Sequence, residues 1–139
     1  ALYDATAALF ELLDGAAWDA AIVHWEVGLL AELGFGLDLA TCAVTGSTDD
    51  LAWVSPRTGR AISATAGEPW RDRLLKLPGF LVGQGAATDA DILDGLTLTG
   101  HFLERHLLAQ GHRSLPDART RFVDAYRRAA TRSGRISPS

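Results

Sequence analysis

The chain has 139 residues, 47% of them hydrophobic and 22% charged, enough to bury one core and too few for two independent ones. Its formal net charge of −4 and pI near 5.5 weigh against a generic basic nucleic-acid binder, whose affinity rests on Lys and Arg neutralising phosphates. A mean hydropathy of +0.08, no apolar run near membrane-span length, and Asp4 where a signal peptide would be basic exclude a membrane or exported reading, so a cytoplasmic setting is expected.

Residues 2–13 place Leu2, Thr6, Leu9 and Leu13 on one face, a short amphipathic helix interrupted at Asp14-Gly15. Trp18, Ile22, Trp25, Leu29 and Leu33 then recur every three or four residues, and Gly34 stands where a helix-ending glycine belongs, which predicts the central buried helix. Its aromatics could stack on bases, but their spacing among aliphatic neighbours favours core packing. His24 and Glu26 share this helix, and a buried Glu26 would need an arginine or a backbone amide as donor.

Over residues 35–67 the helical period gives way to Gly, Thr, Ser and Asp with short apolar stretches, which predicts a small β insert. Residues 51–55 form one strand, Pro56-Arg57-Thr58-Gly59 a tight turn and residues 60–63 the return strand. Residues 70–77 are expected as a short helix stopped by Pro78-Gly79, and residues 82–87 as a flexible loop. Thr88, followed three residues later by Asp91, starts a long helix through Ile92, Leu96, Thr99, Leu103 and Leu107 to Gly111, with a bend placed near Gly100. Ser114-Leu115-Pro116-Asp117 repeats the start signal; Leu115, Ala118, Phe122, Tyr126 and Ala129 give the last helix an apolar face opposite an arginine-rich one. Residues 133–139 read as a frayed tail. The expected fold is mainly α: a helical bundle-like domain over residues 1–132 with a small β-hairpin insert at residues 35–67.

The charge is unevenly spread. Residues 1–110 hold 6 of the 13 basic and 15 of the 17 acidic side chains, a balance of −9, whereas residues 111–139 hold 7 and 2, a balance of +5. The basic end suits a phosphate or an acidic peptide, or is an ordinary solvated helix face with a loose tail.

Chemistry is hard to assemble from the remaining motifs. His101 and His106 are five apart, about 140° around a helix, and neither HExxH nor HxxEH is present, so the stretch from Gly100 to His106 does not make a metal site. His101 and Arg105, four apart, would bring two cations together unless one contacts an acidic group elsewhere. Gly83-Gln84-Gly85 begins like a dinucleotide loop but lacks the third glycine and the flanking βαβ unit. Cys42 is the sole cysteine, unable to form an internal disulfide or a thiolate cage alone, and reads as a packed small side chain. A small hydrolase built on His101, Glu104 or Cys42 would require these to converge in a cleft; a structural or oligomerisation module is the other alternative. The absence of methionine suggests a piece of a longer polypeptide.

The stretch from Trp25 to Leu39, followed by Cys42-Ala43-Val44-Thr45-Gly46, resembles the RecO family where a helix enters its metal-binding loop. Leu51-Ala52-Trp53-Val54-Ser55-Pro56-Arg57-Thr58-Gly59-Arg60-Ala61, then Leu77-Pro78-Gly79-Phe80-Leu81, then the stretch from Leu98 to His106, are similar to RecO sequences of the alphaproteobacterial kind. The resemblance implies the helical C-terminal part of a recombinational DNA-repair protein, with the family's N-terminal OB-fold barrel outside this chain. In zinc-bearing relatives four cysteines hold the metal; here those positions fall on Cys42, Thr45, Ser63 and Ala66, a degenerate zinc finger for which no metal and no cofactor are expected. The resemblance further implies a non-enzymatic mediator that docks single-strand-binding protein, RecR or both, with DNA contact mainly through the barrel and at most auxiliary contact here. An acidic, apolar-ended tail of single-strand-binding protein would seat in a pocket of Leu103, Leu107 and Phe122 rimmed by Arg105, Arg113, Arg119 and Arg121.

Overall fold

The structure, a computed structural model, describes residues 19–34, 37–84, 87–111, 115–134 and 136; the helix expected over residues 2–13, Trp18 and Arg113 lie outside them. The first helix, α1 (Asp19–Glu32), ends as its glycine predicts: Gly34 takes φ 85° and its N–H reaches Ala31 O at 3.1 Å. Its inward stripe is Ile22, Val23, Glu26 and Leu30, whereas Trp25 is 39% exposed. The expected stripe is therefore corrected by part of a turn, and the reason is Glu26, whose partners lie in the interior.

The insert is a hairpin with a third strand. β1 (Leu51–Val54) pairs antiparallel with β2 (Ala61–Ser63) in the register Leu51↔Ser63 and Val54↔Ala61. Between them Gly59 adopts φ 73° and donates to Ser55 O at 2.9 Å, closing the expected turn. After β2 come a single helical turn, α2 (Ala64–Gly67), and a 3-10 helix, Glu68–Arg73, opened by Pro69. The helix expected over residues 70–77 is present only as far as Arg73, as part of this 3-10 helix. Leu74 is extended, and β3 (Leu75–Lys76) pairs with Val54 and Trp53, giving the order β2-β1-β3. A short apolar run carries no decisive period, and here the unpaired edge of β1 claims it.

Thr88 and Asp91 form a reciprocal cap, each side chain accepting the other's backbone N–H at 3.1 Å. They start α3 (Asp89–Ala109), which buries Ile92, Leu93, Leu96, Leu98, Thr99, Phe102, Leu103 and Leu107. One core cluster joins Leu98, Phe102 and Leu103 to Leu30, Cys42, Leu51, Val54, Ala61 and Leu77; another joins Ile92 and Leu96 to Ile22, Val23, Phe80 and Ala118. α3 feeds both clusters, and so does α1, through Leu30 in the first and Ile22 and Val23 in the second. The close approach of α1 depends on Gly95, where a Cβ would stand 2.8 Å from Val23 Cγ1. α4 (Asp117–Arg132) follows Pro116 and turns Ala118, Arg119 and Ala130 inward. Its exposed arginines are Arg121, Arg127, Arg128 and Arg132. The fold is mainly α with a small three-stranded insert, and no helix of the described residues is long and apolar enough to cross a membrane.

Candidate functional site

Two local constructions decide what the sequence-predicted site residues can do. The first is the interior anchor. Glu26 is 0% exposed, and its carboxylate accepts from Arg119 Nε at 2.8 Å and Nη2 at 2.9 Å and from the Thr99 hydroxyl at 2.6 Å. Arg119, 4% exposed, also donates to Leu96 O at 2.8 Å, so this bidentate pair ties α1, α3 and α4 through one point. Room for the guanidinium comes from Gly100, where a Cβ would lie 3.1 Å from Arg119 Nη1. Arg119 is thus withdrawn from the predicted rim: an arginine holding a buried carboxylate has no free face for a ligand.

The rest of the predicted pocket divides. Leu103 is buried in the first core cluster, Phe122 packs half-buried against the second, and Leu107 is buried near the end of α3. Leu103 and Leu107 are buried side chains. Arg105 lies on the other side of α3, where its Nη1 donates to Pro56 O at 2.7 Å and Arg57 O at 3.3 Å. His101 Nε2 stands 3.0 Å from the same Pro56 O. The four-residue spacing of His101 and Arg105 is accommodated by backbone carbonyl oxygens, correcting the expectation of an acidic partner. Of the predicted rim, Arg121 is exposed on α4 beside Phe122.

The second construction is the loop at Cys42. Gly46 N–H closes on Cys42 O at 2.9 Å, and Ala43 N–H joins the loop to Ala61 O at 2.8 Å. Cys42 Sγ, 1% exposed, accepts N–H bonds from Ser63 at 3.2 Å and from Val44 and Thr45 at 3.4 Å. Ser63 Oγ in turn accepts from Ala66 N at 3.2 Å. All four degenerate positions therefore meet at one place, as two facing turns. Burial pushes the Cys42 thiol up, but the Thr45 hydroxyl and the amides of Ser63, Thr45 and Val44 outweigh it and hold the thiol at about 6. The donor set does not fit a structural zinc: one sulfur is present where about four good donors are needed, and Ser63 Oγ is occupied by a backbone amide. Among the described residues no group of three His, Cys, Asp or Glu could hold a metal ion. Cys42 bonds to its own loop and β2, and His101 to the hairpin turn.

A mainly helical domain carrying a small three-stranded sheet, with the hairpin turn bonded to α3 through Arg105 and His101, defines a helical module with a β insert. The family model described as recombination protein O C terminal matches residues 1–116, and the chain belongs to that RecO family. It is 60% identical over 141 residues to the DNA repair protein RecO of Rhodospirillum centenum, covering 100% of this chain and 56% of that protein. It is 52% identical to RecO of a Ruegeria species, covering 92% of this chain and 54% of that protein, and 52% identical to RecO of Rhodospirillum rubrum, covering 91% and 54%. The chain thus spans about half the length of these relatives. No solved structure matches it.

Proposed function

We propose that this chain is the helical docking half of a cytoplasmic recombination mediator in DNA repair, working without covalent catalysis or a bound metal, with single-strand-binding protein and RecR as its partners. Membership of the RecO family, with 60% identity to one relative over the whole chain, carries this reading. The ligand is the acidic, apolar-ended tail of single-strand-binding protein. The interior placement of Arg119, Leu103 and Leu107 shifts its site to the outer surface of α4, where exposed Arg121 flanks half-buried Phe122. A cationic side chain beside partly open aromatic surface suits a carboxylate-rich peptide ending in an apolar residue.

The test is a titration of a fluorescently labelled tail peptide followed by anisotropy. Saturable binding is expected, weakened about tenfold, or about 1.4 kcal/mol, by Arg121→Glu. Equal affinity for parent and variant would remove Arg121 from the site, and absence of saturable binding would overturn the docking role.

A further inference from the structure

The hairpin turn at residues 56–59 is fastened from both sides. Ser55 Oγ accepts the N–H groups of Arg57 and Thr58 at 3.3 and 3.4 Å, while Arg105 Nη1 donates to Pro56 O at 2.7 Å and Arg57 O at 3.3 Å. The Arg105 guanidinium also sits 5.9 Å from the centre of the Phe102 ring. One edge of this guanidinium is thereby immobilised, and Nε and Nη2 make no hydrogen bond to any described residue. Arg57 is carried on the turn itself and Arg60 follows it; both are exposed, as is Arg105. Two arginines of the hairpin, Arg57 and Arg60, and one from α3, Arg105, therefore stand at or beside one turn.

Acidic compensation at this place is thin. Asp38 reaches Arg60 Nε only at 3.9 Å with both side chains about half exposed, exposed Glu104 is the other carboxylate nearby in sequence, and neither Arg57 nor Arg105 forms an ion pair among the described residues. The contrast with the surrounding chain matters: residues 1–110 hold 15 acidic and 6 basic side chains, and three of those six stand at this turn. An exposed arginine cluster in an acidic region is a local exception, distinct from the basic last helix.

We propose that this turn is a phosphate-contact site for a nucleic-acid backbone, with Arg105 as the fixed guanidinium, Arg57 as the mobile one and Arg60 at the flank. The proposal deepens the reading of the chain as a DNA-repair module and rests on it. A guanidinium held on one edge presents its remaining donors as a fork matched to phosphate oxygens and loses little freedom on binding. Contacts of this kind position a strand without reading its bases. Two or three phosphate contacts should give a log–log salt slope of roughly −2 to −3 on duplex DNA, shallower on single strands.

The test is anisotropy of a labelled oligonucleotide of about 20 nucleotides, as single strand and as duplex, titrated with the 139-residue chain between about 50 and 200 mM salt. Expected is sequence-independent binding that falls with salt, at least about tenfold weaker for the Arg57→Glu, Arg60→Glu pair, and a slope shallower by about 1 for Arg57→Gln. Arg57→Gln should unfold at the parent temperature, because the Arg57 side chain makes no hydrogen bond or ion pair among the described residues. Arg105→Gln would also loosen the turn and serves only as the accompanying variant. Binding of the tail peptide should survive Arg57→Glu. No DNA binding at the lowest salt, or unchanged binding by the double variant, overturns the proposal while leaving the docking function untouched. Loss of peptide binding with DNA binding intact would make the turn an acidic-peptide site and equally overturn it.

Discussion

An ionised carboxylate at Glu26 is tolerable in the interior only because Arg119 and Thr99 occupy its oxygens. Arg119→Ala should therefore cost about 3–5 kcal/mol in urea unfolding, the range for stranding one member of a buried pair. Exchanging both partners, Glu26→Leu with Arg119→Met, should recover much of that loss, a non-additivity that a double-mutant cycle measures directly. A loss below about 1 kcal/mol for the single change would show that the pair does not hold the helices. Cys42 makes a second prediction. Its folded thiol is held at about 6 against an ordinary 9.0, so the folded chain gives up that proton first. The resulting stability is lost as pH falls through 6 and grows up to pH 9. The stability difference between the parent and Cys42→Ser should then widen by up to about 1.4 kcal/mol per pH unit inside that window. A flat difference would contradict it. At this scale the sequence disclosed that Glu26 would need a donor, but not which one: Arg119 is 93 residues away and looks like any other arginine of its helix until folding brings the two together.

At the scale of elements, the loop at Cys42 and the turn after Ser63 are joined by hydrogen bonds. Sγ of Cys42 accepts from three amides, and Ser63 Oγ caps the next turn through Ala66 N–H, so the backbone around the four positions is already arranged. Thr45→Cys, Ser63→Cys and Ala66→Cys together should create a tetrahedral thiolate site that binds about one zinc per chain by elemental analysis, with the parent at zero. Stoichiometric zinc in the parent, or none in the triple variant, would refute this account. The hairpin, the capped long helix and the last helix were legible because turn glycine, cap pairs and helical period are local signals. β3 was not, because Leu75 and Lys76 become a strand only through the open edge of β1. Trp25 misled for a related reason: its period is right, but the demand of a buried carboxylate one residue later rotates the face.

On the scale of the whole molecule, α3 makes two core clusters into one structure, since Leu96 belongs to one and Leu98 to the other. Leu96→Ala and Leu98→Ala should each destabilise by about 2–5 kcal/mol. Each should leave a single transition in which circular dichroism and tryptophan fluorescence coincide. Separate transitions would mean that the insert and the helices unfold independently. Surface function was the least legible level. Arginines 105, 119 and 121 are equivalent letters in a sequence, yet one straps the hairpin, one is interior and one faces outward. The anchor at Glu26 also sets a practical boundary. The family match stops at residue 116, three positions short of Arg119. A protein trimmed to that limit would keep an acid in its centre with its counterion cut away, so recombinant versions should extend at least through Ala130, the last buried residue of α4.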